Sequence, residues 1–312
     1  MLVPRFSRVG VIGAGTMGSQ IALRCATFGI ETTLFGLPLE TVDQAMQKSR
    51  AWLSERVKAN TLSASEAEVA LSRLHPCSSL EQCVADAALV IETVQEQLEL
   101  KRQVFSQIDR FAPPSALIAT VSSSIPCSRI ASATRRPEKI LNLHFSHPGD
   151  GRPVEIMGNR ETSPETLRAG TQFVQSLGML PIPVKREIMG FGMNTIWHEI
   201  KKTALRVVAE GYLDFEDVDR AWLLVFGPLP PFAHMDLVGL DVICDIEMQY
   251  YQASGDERDK PPRFLEEWVA QGRLGVKSGH GFYSYPDPEF KSHGWLQKQP
   301  PWTPEKTLKV ET

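Results

Sequence analysis

Cysteine is scarce and unpatterned in this chain. There are five, Cys25, Cys77, Cys83, Cys127 and Cys244, an odd number with no CxxC or other metal-ligand spacing, which argues against a disulfide framework or a structural zinc site. The expected state is free, buried thiols in a reducing compartment. No uninterrupted apolar run reaches the roughly 18 residues needed to span a bilayer. Met1–Ser7 is a short polar lead without the apolar core of a secretory leader, so a soluble, cytoplasmic protein is expected. An excess of basic residues is missing too. Lys plus Arg number 33 against 37 Asp plus Glu, a formal net charge of −4, which gives no reason to expect general binding to nucleic acid or anionic membranes. Internal repeats and low-complexity tracts are also absent.

What is present fits two ordinary globular domains, since 312 residues exceed the roughly 100–200 typical of one. Short apolar, β-branched runs alternate with helical patterns as far as about Lys185. The runs read as strands are Val9–Ile12, Thr32–Phe35, Leu89–Glu92, Ala116–Thr120, Ile140–Phe145 and Leu180–Val184. Several are apolar throughout, as expected of strands covered on both faces. The expected fold class is therefore α/β, a doubly wound, mainly parallel sheet. Met46–Leu74 carries two charged helical patterns with no strand between them, which suggests an inserted helical hairpin. From Gly190 onward the patterns are helical: Met193–Val208, Asp217–Leu224, Val242–Tyr251 and Phe264–Gln271, with Asp214 as an N-cap. Gly227–Pro231 and Asp259–Pro262 read as loops, and the tail from Pro286 as a surface extension. These features divide the chain into a sheet domain, 1–187, and an all-helical domain, 188–312.

Val9-Gly-Val-Ile-Gly13-Ala-Gly15-Thr16-Met17-Gly18-Ser is a strand turning into a helix with GxGxxG spacing. Gly13 permits the tight turn, Gly15 lets a pyrophosphate approach the backbone, and Gly18 allows close helix–strand packing. The helix N-terminus near Thr16 favours the phosphates. At the head of a βαβ pattern this is a Rossmann dinucleotide site rather than only a tight turn. One partner is missing: the second strand ends Thr32-Thr-Leu-Phe35, and Gly36 follows where an acid would accept the adenosine ribose hydroxyls. No Lys or Arg stands between Gly36 and Glu40 to receive a 2′-phosphate.

Candidate chemistry lies further along. His144 ends the strand Ile140–Phe145, and ligands of open α/β sheets bind beyond the carboxyl ends of the strands. A histidine there can take a hydroxyl proton while hydride leaves for a nicotinamide. A carboxylate such as Glu155, in the extended Pro153–Met157, would fix its tautomer and stabilise the imidazolium. Ser122–Ser124 and Asn194 read either as a polar turn and a helix start or as hydrogen-bond donors to a carbonyl.

With these pieces in order the sequence resembles the 3-hydroxyacyl-CoA dehydrogenase family, which includes 3-hydroxybutyryl-CoA dehydrogenases. The resemblance runs from about Arg8 to about Tyr285. It takes in the glycine loop, Val90-Ile-Glu92-Thr-Val-Gln-Glu96-Gln-Leu-Glu-Leu-Lys101, the three serines and Leu143-His144-Phe145. It continues through Met189-Gly-Phe-Gly-Met-Asn194, His234-Met-Asp-Leu-Val-Gly-Leu-Asp241 and Lys277-Ser-Gly-His-Gly-Phe-Tyr283. It implies oxidation of a (S)-3-hydroxyacyl-CoA with NAD, and His144 as general base with Glu155 as its orienting partner. It further implies that Ser123 contacts the substrate oxygen, that Asn194 is a substrate-side amide, and that Glu96 and Lys101 line a cofactor pocket with Gly13, Gly15, Thr16, Met17 and Gly18. The inserted hairpin would help hold coenzyme A, with Lys58 a candidate contact, and a homodimer through the helical domain is implied as well.

The chain departs from the family pattern at Gly36, at His147 in His144-Phe-Ser-His147-Pro148 where the family has an Asn, and in a His144–Glu155 spacing one residue shorter. Two further readings therefore stand beside the first. The same chemistry on a free hydroxy acid or a carrier-protein thioester is one, since gulonate and carnitine dehydrogenases share the architecture. A dinucleotide-binding protein without turnover is the other, as in lambda-crystallin.

Overall fold

The computed structural model describes residues 6–146, 148 and 152–297; His147 and the Gly149–Gly151 loop lie outside the described residues. Met1–Asn194 forms one compact unit and Thr195–Thr312 a second.

The first unit is built on strands β1 (Arg8–Ile12), β2 (Glu31–Phe35), β3 (Leu74–Pro76), β4 (Leu89–Glu92), β5 (Leu117–Thr120), β6 (Ile140–Phe145), β7 (Pro153–Gly158) and β8 (Leu180–Pro183). They form one sheet in the order β3-β2-β1-β4-β5-β6-β7-β8. All pairings are parallel except β6 with β7. The order reverses beside β1, which places the topological switch point at the glycine loop. Helices α1 (Thr16–Thr27), α2 (Glu40–Lys58), α3 (Ala64–Ser72), α4 (Leu80–Val84), α5 (Leu98–Phe111), α6 (Ser128–Ala131) and α7 (Pro164–Ser176) connect the strands.

Alternation along the strands divides the core into two layers, because successive side chains point to opposite faces. Leu34, Leu89, Ile91, Leu141 and Leu143 pack with Ile21 and Cys25 of α1 and Phe173 of α7. Phe35, Val90, Ile118 and Ile140 pack with Val84 of α4 and Phe105 and Ile108 of α5. Both faces are covered, which is why these strands read as continuous apolar runs.

The sheet unit differs from the sequence-based expectation around β3. The inserted hairpin begins at Glu40 rather than Met46, and strand β3 follows it at Leu74. A three-residue strand containing Pro76 carries too little periodicity to read, and as the edge strand it tolerates the proline. The hairpin packs on α1 through Leu23, Leu53, Ala67 and Ala70. It turns at a capping box in which Ser63 Oγ accepts from the Glu66 amide while the Glu66 carboxylate accepts from the Ser63 amide.

Helices α8 (Phe191–Ala209), α9 (Phe215–Val225), α10 (Pro231–Val238), α11 (Leu240–Ser254) and α12 (Arg263–Ala270) follow, the second unit starting at Thr195 within α8. Helix α10 opens where only a loop was expected, because Pro231 is tolerated in the first turn. Asp214 is the N-cap residue of α9, although its side chain makes no capping bond. The described part of the tail is not a loose extension: Trp295 is buried, and the Arg220 guanidinium lies 4.6 Å from its ring. All five cysteines are free, but only Cys25, Cys83 and Cys127 are fully buried; Cys77 and Cys244 are partly exposed.

The glycine turn is held by packing as well as by conformation. Gly13 has φ +113°, and a Cβ at Gly18 would lie 1.9 Å from the Gly13 carbonyl oxygen and 2.4 Å from Thr93 Oγ1. Gly18→Ala should therefore destabilise the protein by about 1–3 kcal/mol through overpacking, read as a lowered midpoint in urea unfolding. An unchanged midpoint would show that the turn relaxes freely.

Candidate active site

The antiparallel register of β6 and β7 sets His144 directly opposite Glu155. Both are buried, at 6% and 2% exposure, and His144 Nδ1 lies 3.1 Å from Glu155 Oε2. Glu155 Oε1 accepts the Gly192 amide at 2.8 Å and the Met193 amide at 3.2 Å. Those amides open α8, where a helix leaves its first N–H groups without intrahelical partners and favours negative charge. Burial pushes the pKa of Glu155 up, but the bonds from His144 and from the Met193 and Gly192 amides outweigh it. The net pKa lies below the ordinary glutamate range. Its contribution to stability is present above the pKa of an unfolded glutamate and lost as pH falls through the lower, folded value.

A carboxylate held ionised by two amides has a fixed orientation, so it orders the imidazole beside it. The facing ring completes the clamp. Phe191 stacks on His144 with centroids 4.4 Å apart and planes 12° from parallel. The backbone is bent to allow it: Gly190 and Phe191 both have positive φ, +78° and +57°, the latter uncommon for a bulky residue and costing roughly 1–3 kcal/mol. Among the described residues His144 Nε2 makes no hydrogen bond, which leaves it as the nitrogen open to chemistry.

Phe191 and the two amides were not legible as site residues. The signal available was Gly190-Phe-Gly192, two glycines bracketing an aromatic residue ahead of a helix. Gly192 has little space for a side chain, since a Cβ there would sit 3.1 Å from Glu155 Oε1.

The other expected residues fall into two groups. Ser123 is exposed in the loop after β5, and Asn194 is half-buried in the first turn of α8. Neither is hydrogen-bonded to His144 among the described residues. The pairing of Thr120 with Asn142 leads the serine loop out beside the end of β6. Glu96 and Lys101 form an ion pair at 3.2 Å, and Lys101 is buried.

The glycine loop has the shape a dinucleotide pyrophosphate requires. Gly15 and Thr16 are exposed, no side chain caps the N-terminus of α1, and nothing lies within 4 Å of a Cβ built on Gly15. Gly15 and Thr16 thus form an open, uncapped helix end of the kind that accepts a phosphate, with Gly13, Met17 and Gly18 packed around it. Position 36 has no space for the missing acid, because a Cβ there would lie 2.6 Å from Ala14 Cβ and 2.8 Å from Thr41 Oγ1.

In the second unit His198, Glu199 and Asp259 place ligand-type atoms within 4.8 Å of one another. The Lys202 ammonium lies 2.8 Å from both carboxylates, so the negative charge there is answered by a side chain of the chain itself.

Comparison with known proteins shows the family. Residues 8–188 match the NAD-binding domain of 3-hydroxyacyl-CoA dehydrogenase, and residues 190–285 match the C-terminal domain of the same family. The chain belongs to the 3-hydroxyacyl-CoA dehydrogenase family and is an NAD-dependent oxidoreductase. The 3-hydroxybutyryl-CoA dehydrogenase of Mycobacterium tuberculosis (strain ATCC 25618 / H37Rv) is 33% identical over 281 residues, covering 89% of this chain and 98% of the relative. The structure of (S)-3-hydroxybutyryl-CoA dehydrogenase from Ralstonia eutropha superposes with a TM-score of 0.84 at 30% identity, covering 90% of this chain and 100% of that one. A diketoreductase described as acting on dicarbonyl compounds superposes with a TM-score of 0.80 at 30% identity, covering 90% and 99%.

The open space at Gly15 generates a prediction opposite in kind to that for Gly18. Gly15→Val should leave the unfolding midpoint within about 0.5 kcal/mol of wild type while weakening NADH binding about tenfold or more, read by fluorescence titration. Unchanged NADH affinity would remove the loop from cofactor binding.

Proposed function

We propose that this protein interconverts a (S)-3-hydroxyacyl-CoA and the corresponding 3-oxoacyl-CoA, a step of fatty-acid metabolism, with NAD as the redox partner. The observation that carries the reading is the buried His144–Glu155 pair at the carboxyl end of β6, in a unit whose first turn is built for a dinucleotide.

Bound NAD supplies the acceptor for the hydride that leaves C3 of the substrate. The protein handles the proton. His144 Nε2 takes it from the C3 hydroxyl, and the ring becomes an imidazolium whose Nδ1–H donates to Glu155. The ionised carboxylate stabilises that charge in a low-dielectric setting, where such a bond is stronger than in water. Phe191 covers one face of the ring and keeps water from it. Ser123 and Asn194 donate hydrogen bonds to the substrate oxygens, so the forming carbonyl is polarised. In the reducing direction His144 returns the proton.

The coenzyme A portion has a candidate berth between α1 and α2, a cavity of ≈ 190 Å³ whose lining includes Gln20, Arg24, Lys48 and Trp52. Two cations and an indole suit a phosphorylated, adenine-bearing ligand. Lys48 replaces Lys58 as the lysine of interest, since Lys58 is exposed at the far end of α2 and does not line this cavity.

A homodimer is part of the proposal. The second unit exposes Ile196, Leu213, Leu224, Val225 and Phe226, each more than half accessible, and several border one apolar groove between α8 and α9. Monomers rarely leave such a patch in water, and a second copy is the occupant the reading favours. Sedimentation should give about twice 34.7 kDa, and Phe226→Glu should shift it toward one. A cytoplasmic setting is part of the proposal, supported by the five free thiols.

A second reading, reduction of a carbonyl compound lacking coenzyme A, is favoured by the likeness to the diketoreductase. Parallel assays of acetoacetyl-CoA and of free 3-oxo acids separate the two. With acetoacetyl-CoA and NADH, His144→Ala should lose about 10²–10⁴-fold in kcat with NADH affinity retained. Near-equal turnover in variant and wild type would take His144 out of the mechanism.

A further inference from the structure

The family resemblance sets Glu96 and Lys101 against the cofactor, and in this chain the two also belong to a network that reaches the serine loop. Lys101 Nζ lies 2.8 Å from Glu92 Oε1, 3.2 Å from Glu96 Oε2 and 3.3 Å from the Val94 carbonyl. An ammonium has three donors, and these three acceptors account for them. The Lys101 side chain is 1% exposed. Glu92 is equally committed: Oε1 also accepts the Val94 amide at 2.7 Å, and Oε2 accepts the Thr120 hydroxyl at 2.7 Å. Thr120 Oγ1 in turn accepts the Ser122 amide at 3.1 Å.

Glu96 then reaches the serine loop directly. Its Oε1 accepts the hydroxyl of Ser122, the hydroxyl of Ser124 at 2.8 Å and the amide of Ser124 at 3.2 Å. Ser122 Oγ accepts the Ile125 amide at 2.7 Å. Burial alone would raise the pKa of Glu96, but the Lys101 charge and the two serine hydroxyls outweigh it and keep the carboxylate ionised. The hydroxyls on either side of Ser123 are thus both spent on one carboxylate, while Ser123 itself is exposed and makes no hydrogen bond among the described residues.

We propose that Glu96, anchored by the buried Lys101–Glu92 pair, is a positioning residue for Ser123, fixing the loop through Ser122 and Ser124 so that the middle hydroxyl is presented to the substrate oxygen. The inference rests on the proposed role of Ser123. A loop held at both flanks keeps its central donor near one geometry, and misplacement by about 1 Å can cost on the order of 10²-fold in rate.

The test is a double-mutant cycle of Glu96→Gln and Ser123→Ala, with kcat/KM for acetoacetyl-CoA, equilibrium binding of NADH and thermal unfolding measured on each protein. Glu96→Gln should lower kcat/KM for acetoacetyl-CoA about tenfold or more even when NADH is saturating. The double variant should be no worse than Ser123→Ala alone, because positioning an absent hydroxyl has no value. Ser122→Ala/Ser124→Ala, which leaves the buried ion pair intact, should reproduce the Glu96→Gln effect and guards against misfolding. Losses that multiply in the double variant, or a Glu96→Gln defect that disappears at saturating NADH, would overturn the assignment and leave Glu96 a cofactor contact alone. Wild-type turnover in Ser123→Ala would overturn it differently, by removing the Ser123 role on which it rests.

Discussion

The contact between the His144 imidazole and the Glu155 carboxylate is where the demands of the fold and of the chemistry meet. The two face each other because β6 and β7 run antiparallel in one particular register. A shift of one residue would turn either side chain to the opposite face of the sheet. The carboxylate is buried, and a buried charge is tolerable only when paired and hydrogen-bonded. Its two oxygens find the imidazole on one side and the Gly192 and Met193 amides on the other. The first turn of α8 is thereby tied to the sheet. The positive-φ backbone at Gly190 and Phe191 is what that arrangement costs locally, and it also lays an aromatic ring against the base.

The rest of the sheet serves the same geometry. The site residues of β4, β5 and β6 lie at or just beyond their carboxyl ends, Glu155 meets them from near the amino end of the antiparallel β7, and the switch point beside β1 opens a crevice there for a dinucleotide. The buried Glu92–Lys101 pair, extended by the exposed Glu96, ties the ends of β4 and β5 together. Two ionic constructions of similar build therefore stand at neighbouring strand ends. One orders a histidine, the other orders serines. Such networks are weak evidence for stability, because desolvation offsets most of their attraction. Their value here is geometric.

Much of this was legible in the sequence because it rests on local signals. The strands from Val9 to Phe145 show as apolar runs, and the GxGxxG turn specifies its own backbone. His144 and Glu155 stand out by their place beside a predicted strand end. What was not legible depends on contacts distant in the chain. Strand β3 is too short to show periodicity, and α10 hides behind Pro231. The stacking of Phe191 and the capture of Glu155 by amides 37 and 38 residues away follow only from the folded arrangement. The same holds for Glu96, whose partners lie 26 and 28 residues on. Gly36 was noticed as a missing acid. The packing reason, that Ala14 and Thr41 leave no space for a side chain, arises only in the folded chain.

The account stands or falls on which nitrogen of His144 carries the proton in the neutral ring. Nitrogen-15 NMR of the ring-labelled protein, bound to NAD with the imidazole in its neutral form, answers that directly. The account predicts a protonated Nδ1, donating to Glu155, and a bare Nε2 ready to accept the substrate proton. A neutral ring with its proton on Nε2 and Nδ1 bare would contradict it, since the face turned to the substrate would then have nothing with which to accept.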